Sequence, residues 1–130
     1  MKPQRKGQKF RVLPGRYAVC RLHPDAGVPA WAVGPFCSMT RTGDELAIVC
    51  PAEQVPTDVQ AERGWRVLKL VGPFPFTATG VLAAIAAPLA RAGISLLSIA
   101  TYDTDYFLVS AERFDKAVAA LRGAGHICVR

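Results

Sequence analysis

Two carboxylates, two threonine hydroxyls and a tyrosine fall together in residues 93–109, GISLLSIATYDTDYFLV, where Thr101, Tyr102, Asp103, Thr104 and Asp105 form a polar island between two apolar runs. Ile94, Leu96, Leu97 and Ile99 lead into the island and Tyr106, Phe107, Leu108 and Val109 lead out of it. This β-branched and aromatic bias favours strands, so the island reads as a hairpin turn carrying two carboxylates. Just upstream, residues 76–92 (FTATGVLAAIAAPLARA) read as a helix entered through Gly80. A helix N-terminus offers unpaired N–H groups and partial positive charge, and glycine there permits a close approach. A carboxylate nearby can hold an ammonium by charge-assisted hydrogen bonds. Together they would match both ends of a zwitterion. On residue chemistry alone, Asp103 and Asp105 read equally as turn formers, and Tyr102 as a stacking wall or as ordinary turn packing.

The elements around them follow from periodicity and turn residues. Residues 17–22 (YAVCRL) form a strand, and residues 36–41 and 45–50 pair as a hairpin across Thr42, Gly43 and Asp44. Between these, residues 23–35 hold three prolines and two glycines around Trp31, which allows one helical turn at 29–33 but no long helix. Residues 51–64 are polar and turn-rich, the best internal boundary, after which residues 65–71 (WRVLKLV) alternate as a strand. In the helix that follows, Thr77 or Thr79 is the expected cap and Val81, Leu82, Ile85 and Leu89 the apolar stripe. Pro88 predicts a mild kink or an early end, and Gly93 the C-terminal stop. Phe114, Ala117, Val118 and Leu121 mark a last helix capped by Ser110, and residues 127–129 a closing strand. Residues 65–130 thus read strand, helix, strand, strand, helix, strand, an α+β ferredoxin-like sandwich.

A weak internal repeat extends this to the first half. A shift of 60 residues pairs Ser38 with Ser98, Glu45 with Asp105, Ile48 with Leu108 and Val49 with Val109, while a shift of 50 aligns the strands beginning at Arg16 and Arg66. The first half is shorter where the second has its long helix.

Charge and cysteine exclude several function classes. The net charge is +6, but Lys2, Arg5, Lys6, Lys9, Arg11, Arg16 and Arg21 give the first 24 residues +7 and leave the body near neutral. A short basic arm is read as a solvated terminus, since no aromatic platform accompanies it. Cys20, Cys37, Cys50 and Cys128 lie in or beside apolar runs without a CxxC pair, which points to buried free thiols. His23 and His126 sit near Cys20 and Cys128 at opposite ends of the chain, too far apart in sequence for paired zinc ligands. No metal, no cofactor and no catalytic residue is expected, because neither histidine has an evident triad partner. No run approaches about 18 apolar residues, and no signal peptide follows the basic start. No membrane partner is expected, and a cytoplasmic location is the default.

At GVLAAIAAPLARAGISLLSIATYDTDYFLV the chain resembles the ACT domain superfamily, in particular a small bacterial branch of paired ACT-like domains. The first half agrees in LPGRYAVCRL, VPAWAVGPF and TRTGDELAIVCP, so the resemblance covers residues 10–130. That branch is similar to the ACT pairs of aspartate kinases and to the arginine sensors of animal growth signalling. The resemblance implies two ACT-like units in tandem, the first with a shortened helix: a degenerate N-terminal unit over 10–64 and an ACT domain over 65–130, while residues 1–9, outside it, read as a basic disordered arm. It implies a regulatory small-molecule sensor, not an enzyme, that binds a free amino acid at an ACT interface. Carried over by position, Gly80, Val81 and Leu82 would meet the ligand through backbone groups, and Thr101, Tyr102 and Asp105 would form the opposite wall. The ligand carboxylate would sit on the helix N-terminus and its ammonium on Asp105. A homodimer is expected, or a monomer whose halves pair internally, with an unidentified protein partner receiving the signal. The alternatives are a protein-interaction module without ligand, or weak nucleic-acid binding through the basic arm.

Overall fold

The computed structural model describes residues 7–129. The described residues form eight strands and two α-helices: β1 (Lys9–Val12), β2 (Tyr17–Leu22), β3 (Ser38–Arg41), β4 (Leu46–Pro51), β5 (Ala61–Leu70), α1 (Val81–Arg91), β6 (Leu97–Ala100), β7 (Asp105–Ser110), α2 (Phe114–Gly123) and β8 (Ile127–Cys128). They divide into two compact units, Pro14–Arg66 and a second made of the residues up to Leu13 with those from Val67 on. Neither α-helix is long and apolar enough to cross a membrane.

The unit over Pro14–Arg66 contains four strands in the order β5, β2, β4, β3, all antiparallel to their neighbours. Ala18, Cys20, Leu46, Ile48 and Cys50 build its core. The shortened helix expected here is not helical at all: residues 23–37 form turns closed by Ala26 N–H to His23 O and Ala32 N–H to Pro29 O. Prolines 24, 29 and 35 explain this, since each lacks the N–H a helix needs. Loop carbonyls that a helix would satisfy internally are instead met by guanidinium groups. Arg41 donates to Pro24 O and, at 2.8 Å, to Ala26 O; Arg63 donates to Val55 O at 3.1 Å and Pro56 O at 2.7 Å.

The second unit repeats that strand order with one insertion, β8, β1, β5, β7, β6. Strand β5 is therefore the last strand of one unit and the first of the other. Strand β1 wedges between β5 and β8, antiparallel to the first (Phe10 opposite Leu70) and parallel to the second. The sequence boundaries at residues 10 and 65 shift accordingly: residues 10–13 complete the C-terminal unit, and the division falls inside β5, which starts at Ala61. Of the arm over 1–9, residues 1–6 lie outside the described residues, and Lys9 already belongs to β1. Both helices pack on one face, where Phe10, Leu68, Leu70, Ile85, Leu89, Phe107 and Leu121 are fully buried.

Helix α1 runs through Pro88 to Arg91 without an early end. The missing N–H of Pro88 would have bonded to the Ala84 carbonyl one turn back. That carbonyl is met by His126, whose Nε2 lies 2.8 Å away. The other ring nitrogen, Nδ1, accepts the Gln8 N–H at 2.9 Å. With Nδ1 an acceptor, Nε2 carries the proton and donates to Ala84 O, which fixes one neutral tautomer. The buried His126 thus joins α1, the residue before β1 and the turn before β8.

All four cysteines are free thiols. Burial pushes the Cys50 thiol up to about 11, aided by neighbouring Cys20 and Cys37. Cys20 is also raised, by burial first and against the pull of Arg63, and Cys37 is raised by burial.

Replacing the imidazole of His126 by a phenyl ring with His126→Phe is expected to cost about 1–3 kcal/mol, the penalty of a buried carbonyl and N–H left unmet. In a Pro88→Ala background residue 88 supplies its own N–H, so the same substitution costs about 1 kcal/mol less. Urea unfolding of the four proteins in the cycle checks this, and equal costs in both backgrounds would refute it. For the thiols, an aromatic disulfide reagent at pH 8 should leave Cys20 and Cys50 of the folded protein unlabelled while the unfolded chain titrates as four thiols. Rapid labelling of Cys50 in the folded state would show the opposite.

Candidate functional site

The turn between β6 and β7 is built by one threonine folding back on another. Thr101 N–H donates to Thr104 O at 2.8 Å and its hydroxyl donates to the same oxygen at 3.0 Å, while Thr104 N–H reaches the Thr101 hydroxyl oxygen at 3.3 Å. The Thr104 side chain is buried, and its hydroxyl donates to Leu70 O at 2.9 Å, which ties the turn to the end of β5. Phe74 N–H donates to Asp103 O at 2.8 Å and fastens the loop after β5 on the same turn. Gly72 permits that approach, because a Cβ there would stand 2.9 Å from Asp103 O.

Helix α1 starts at Val81 with Gly80 as its N-cap residue, at φ 76, and no side chain caps it. The expected caps Thr77 and Thr79 do not serve, since a residue in the left-handed conformation takes the cap position and favours glycine. The first N–H groups of a helix have no partner within it. Of the predicted stripe, Ile85 and Leu89 go to the core, whereas Leu82 turns to the cleft. Ser110 likewise does not cap α2, because a 3-10 turn, Ala111–Arg113, intervenes and Arg113 takes the N-cap position.

The helix start and the turn line one cavity of about 320 Å³. All six residues singled out from the sequence lie in its wall: Gly80, Val81 and Leu82 from the helix, Thr101, Tyr102 and Asp105 from the hairpin. Among the described residues, the only charged groups in the lining are the carboxylates of Asp103 and Asp105. Asp105 opens β7 opposite Ala100 and is half-buried, whereas Asp103 at the turn is exposed. Sequence reasoning missed Phe76. Its ring meets Tyr102 edge to face at 4.9 Å between centroids, and both rings stand largely in solvent, 76% and 81% exposed. Two aromatic residues bracketing a polar helix start and turn were the available signal.

The N-terminal unit carries the same turn with different chemistry. Thr42 N–H donates to Glu45 O at 2.9 Å, and Glu45 N–H reaches the Thr42 hydroxyl oxygen at 3.2 Å. Thr42 therefore matches Thr101, and Glu45 matches Thr104. This corrects the shift of 60, which had paired Glu45 with Asp105: the hairpin registers put Leu46, opposite Arg41, where Asp105 stands opposite Ala100. Leu46 is buried in the core of its unit, so the acidic group has no counterpart there.

A family model described as an ACT domain matches residues 60–123, and a model for an N-terminal domain matches residues 15–58. No curated protein matches the chain. Among solved structures, a protein from Agrobacterium tumefaciens is 38% identical with a TM-score of 0.90, covering 96% of this chain and 94% of its own. A protein of unknown function from Vibrio cholerae is 24% identical with a TM-score of 0.74, the match covering 92% and 91% of the two chains. The regulatory subunit of aspartate kinase from Thermus flavus is 12% identical with a TM-score of 0.64, covering 92% of this chain and 99% of that one, a likeness of fold.

Proposed function

The chain belongs to the ACT domain superfamily, and from that premise we propose that its C-terminal unit is a regulatory, non-catalytic module that binds a free amino acid in the cavity between the start of α1 and the β6–β7 turn. One observation carries the reading: a helix start that no side chain caps and the half-buried Asp105 line the same cavity. The helix N–H groups would take the ligand carboxylate, as helix N-termini take anions. Asp105 would take the ammonium through charge-assisted hydrogen bonds. Thr101 shapes the wall because its hydroxyl is committed to Thr104 O, and the Phe76 and Tyr102 rings would close over the ligand side chain. The N-terminal unit would then serve as a scaffold, with Leu46 in the acidic position. A cytoplasmic homodimer that passes the ligand state to a protein partner completes the proposal.

The exposed aromatic pair also favours a second reading, a protein-interaction module without a ligand.

Thermal melting in the presence of each of the twenty amino acids at millimolar concentration separates the two. A ligand that binds only the folded state raises Tm by mass action. Asp105→Ala is expected to weaken that ligand roughly tenfold or more, the usual worth of a hydrogen bond to a charged group. If no amino acid raises Tm, sensing of a free amino acid is abandoned and the interaction reading stands.

A further inference from the structure

A cavity of about 380 Å³ lies against α2, with half-buried Val12, Val118 and Cys128 giving it an apolar lining and exposed Asp115, Ala119 and Arg122 completing the wall on the helix. Asp115 stands in the first turn of α2 and Arg122 in the last. Seven residues make two turns, so both charges leave the same face of the helix, about 10 Å apart along its axis. That separation keeps them from pairing with each other, and among the described residues neither takes part in an ion pair. Each charge suits the helix dipole at its own end, but the dipole accounts neither for their common face nor for the apolar positions between them. Val118 and Ala119 lie halfway between the two charges in sequence. The face is thus negative at one end, positive at the other and apolar in the middle, a pattern that matches its own reverse.

We infer that a second copy of the chain docks on this face, its α2 antiparallel to the first about a two-fold axis passing between Val118 and Ala119. A two-fold contact uses the same patch on both copies, so the patch must be self-complementary. Antiparallel docking sets Asp115 of each copy against the partner's Arg122, whereas parallel docking would set like charges together. Ala119 near the axis lets the two helices approach closely. A ten-residue helix is only about 15 Å long, so the contact is small and the dimer depends on protein concentration. The inference rests on the homodimer of the proposed function and gives it a surface away from the amino-acid cavity.

Sedimentation velocity of the full chain, from micromolar to millimolar protein, tests it. The parent should pass from monomer to dimer across that range. Asp115→Arg and Arg122→Asp should each weaken the dimer roughly tenfold or more, because each puts like charges face to face at both ends of the contact. The double variant carrying both changes restores opposite charges and should dimerise as the parent does, a rescue that simple damage to the helix would not give. Circular dichroism and melting of dilute protein confirm that each variant folds. Should either reversal fail to fold, Ala119→Glu replaces it, since residue 119 is exposed in the monomer and two carboxylates would meet near the axis. A dimer that these variants leave unchanged, or that the double variant does not restore, overturns this surface alone. A chain that stays monomeric at every concentration overturns the homodimer as well, and both results leave the amino-acid reading to its own melting test.

Discussion

In the C-terminal unit a hydrogen bond from His126 Nε2–H to the carbonyl of Ala84 ties α1 to the turn before β8. It exists because Pro88 withholds the N–H that would have occupied that carbonyl. A proline inside a helix ordinarily costs a bond and invites a kink, but here the vacancy is filled from outside the helix. The same ring accepts the Gln8 N–H, so the start of β1 is secured by the residue that secures α1. Because β1 lies between β5 and β8, fastening its start also helps to close the sheet against which both helices pack.

Helix α1 presents its first turn beside the β6–β7 hairpin, and the hairpin is held by Thr104 to Leu70 O and by Asp103 O to Phe74 N–H. The hairpin wall is therefore fixed by its bonds to Leu70 and Phe74, and the helix start and Asp105 stand in the lining of the same cavity. Preorganisation of this kind lowers the ordering cost of binding a small ligand.

The two units are alike in strand order and turn and differ in their helices. Both units place their strands in the same order and close the corresponding turn with a threonine that bonds three residues on. The N-terminal unit has proline-containing turns where the other has α-helices, and arginines meet carbonyls of those turns. With Leu46 in the position of Asp105, its hairpin strengthens a core.

Much of this was legible in the residues. Alternation of apolar residues located β2, β4, β7 and both helices, and the order of those elements pointed to the ferredoxin-like class, because periods of 2.0 and 3.6 are local properties of a chain. The grouping of Gly80, Val81 and Leu82 with Thr101, Tyr102 and Asp105 came from the family resemblance together with the chemistry of a glycine-led helix near an acidic turn, and the structure brings all six to one cavity. What escaped were pairings between distant residues. That residues 10–13 complete the C-terminal sheet, that His126 answers Pro88, that Glu45 aligns with Thr104, and that Arg11 faces Lys69 depend on contacts spanning much of the chain. The sequence by itself determined which segments could be strands and helices and which side chains could do chemistry. Only the tertiary structure decided register and partner choice, since a one-residue change in alignment preserves composition and periodicity while moving every side chain to the other face.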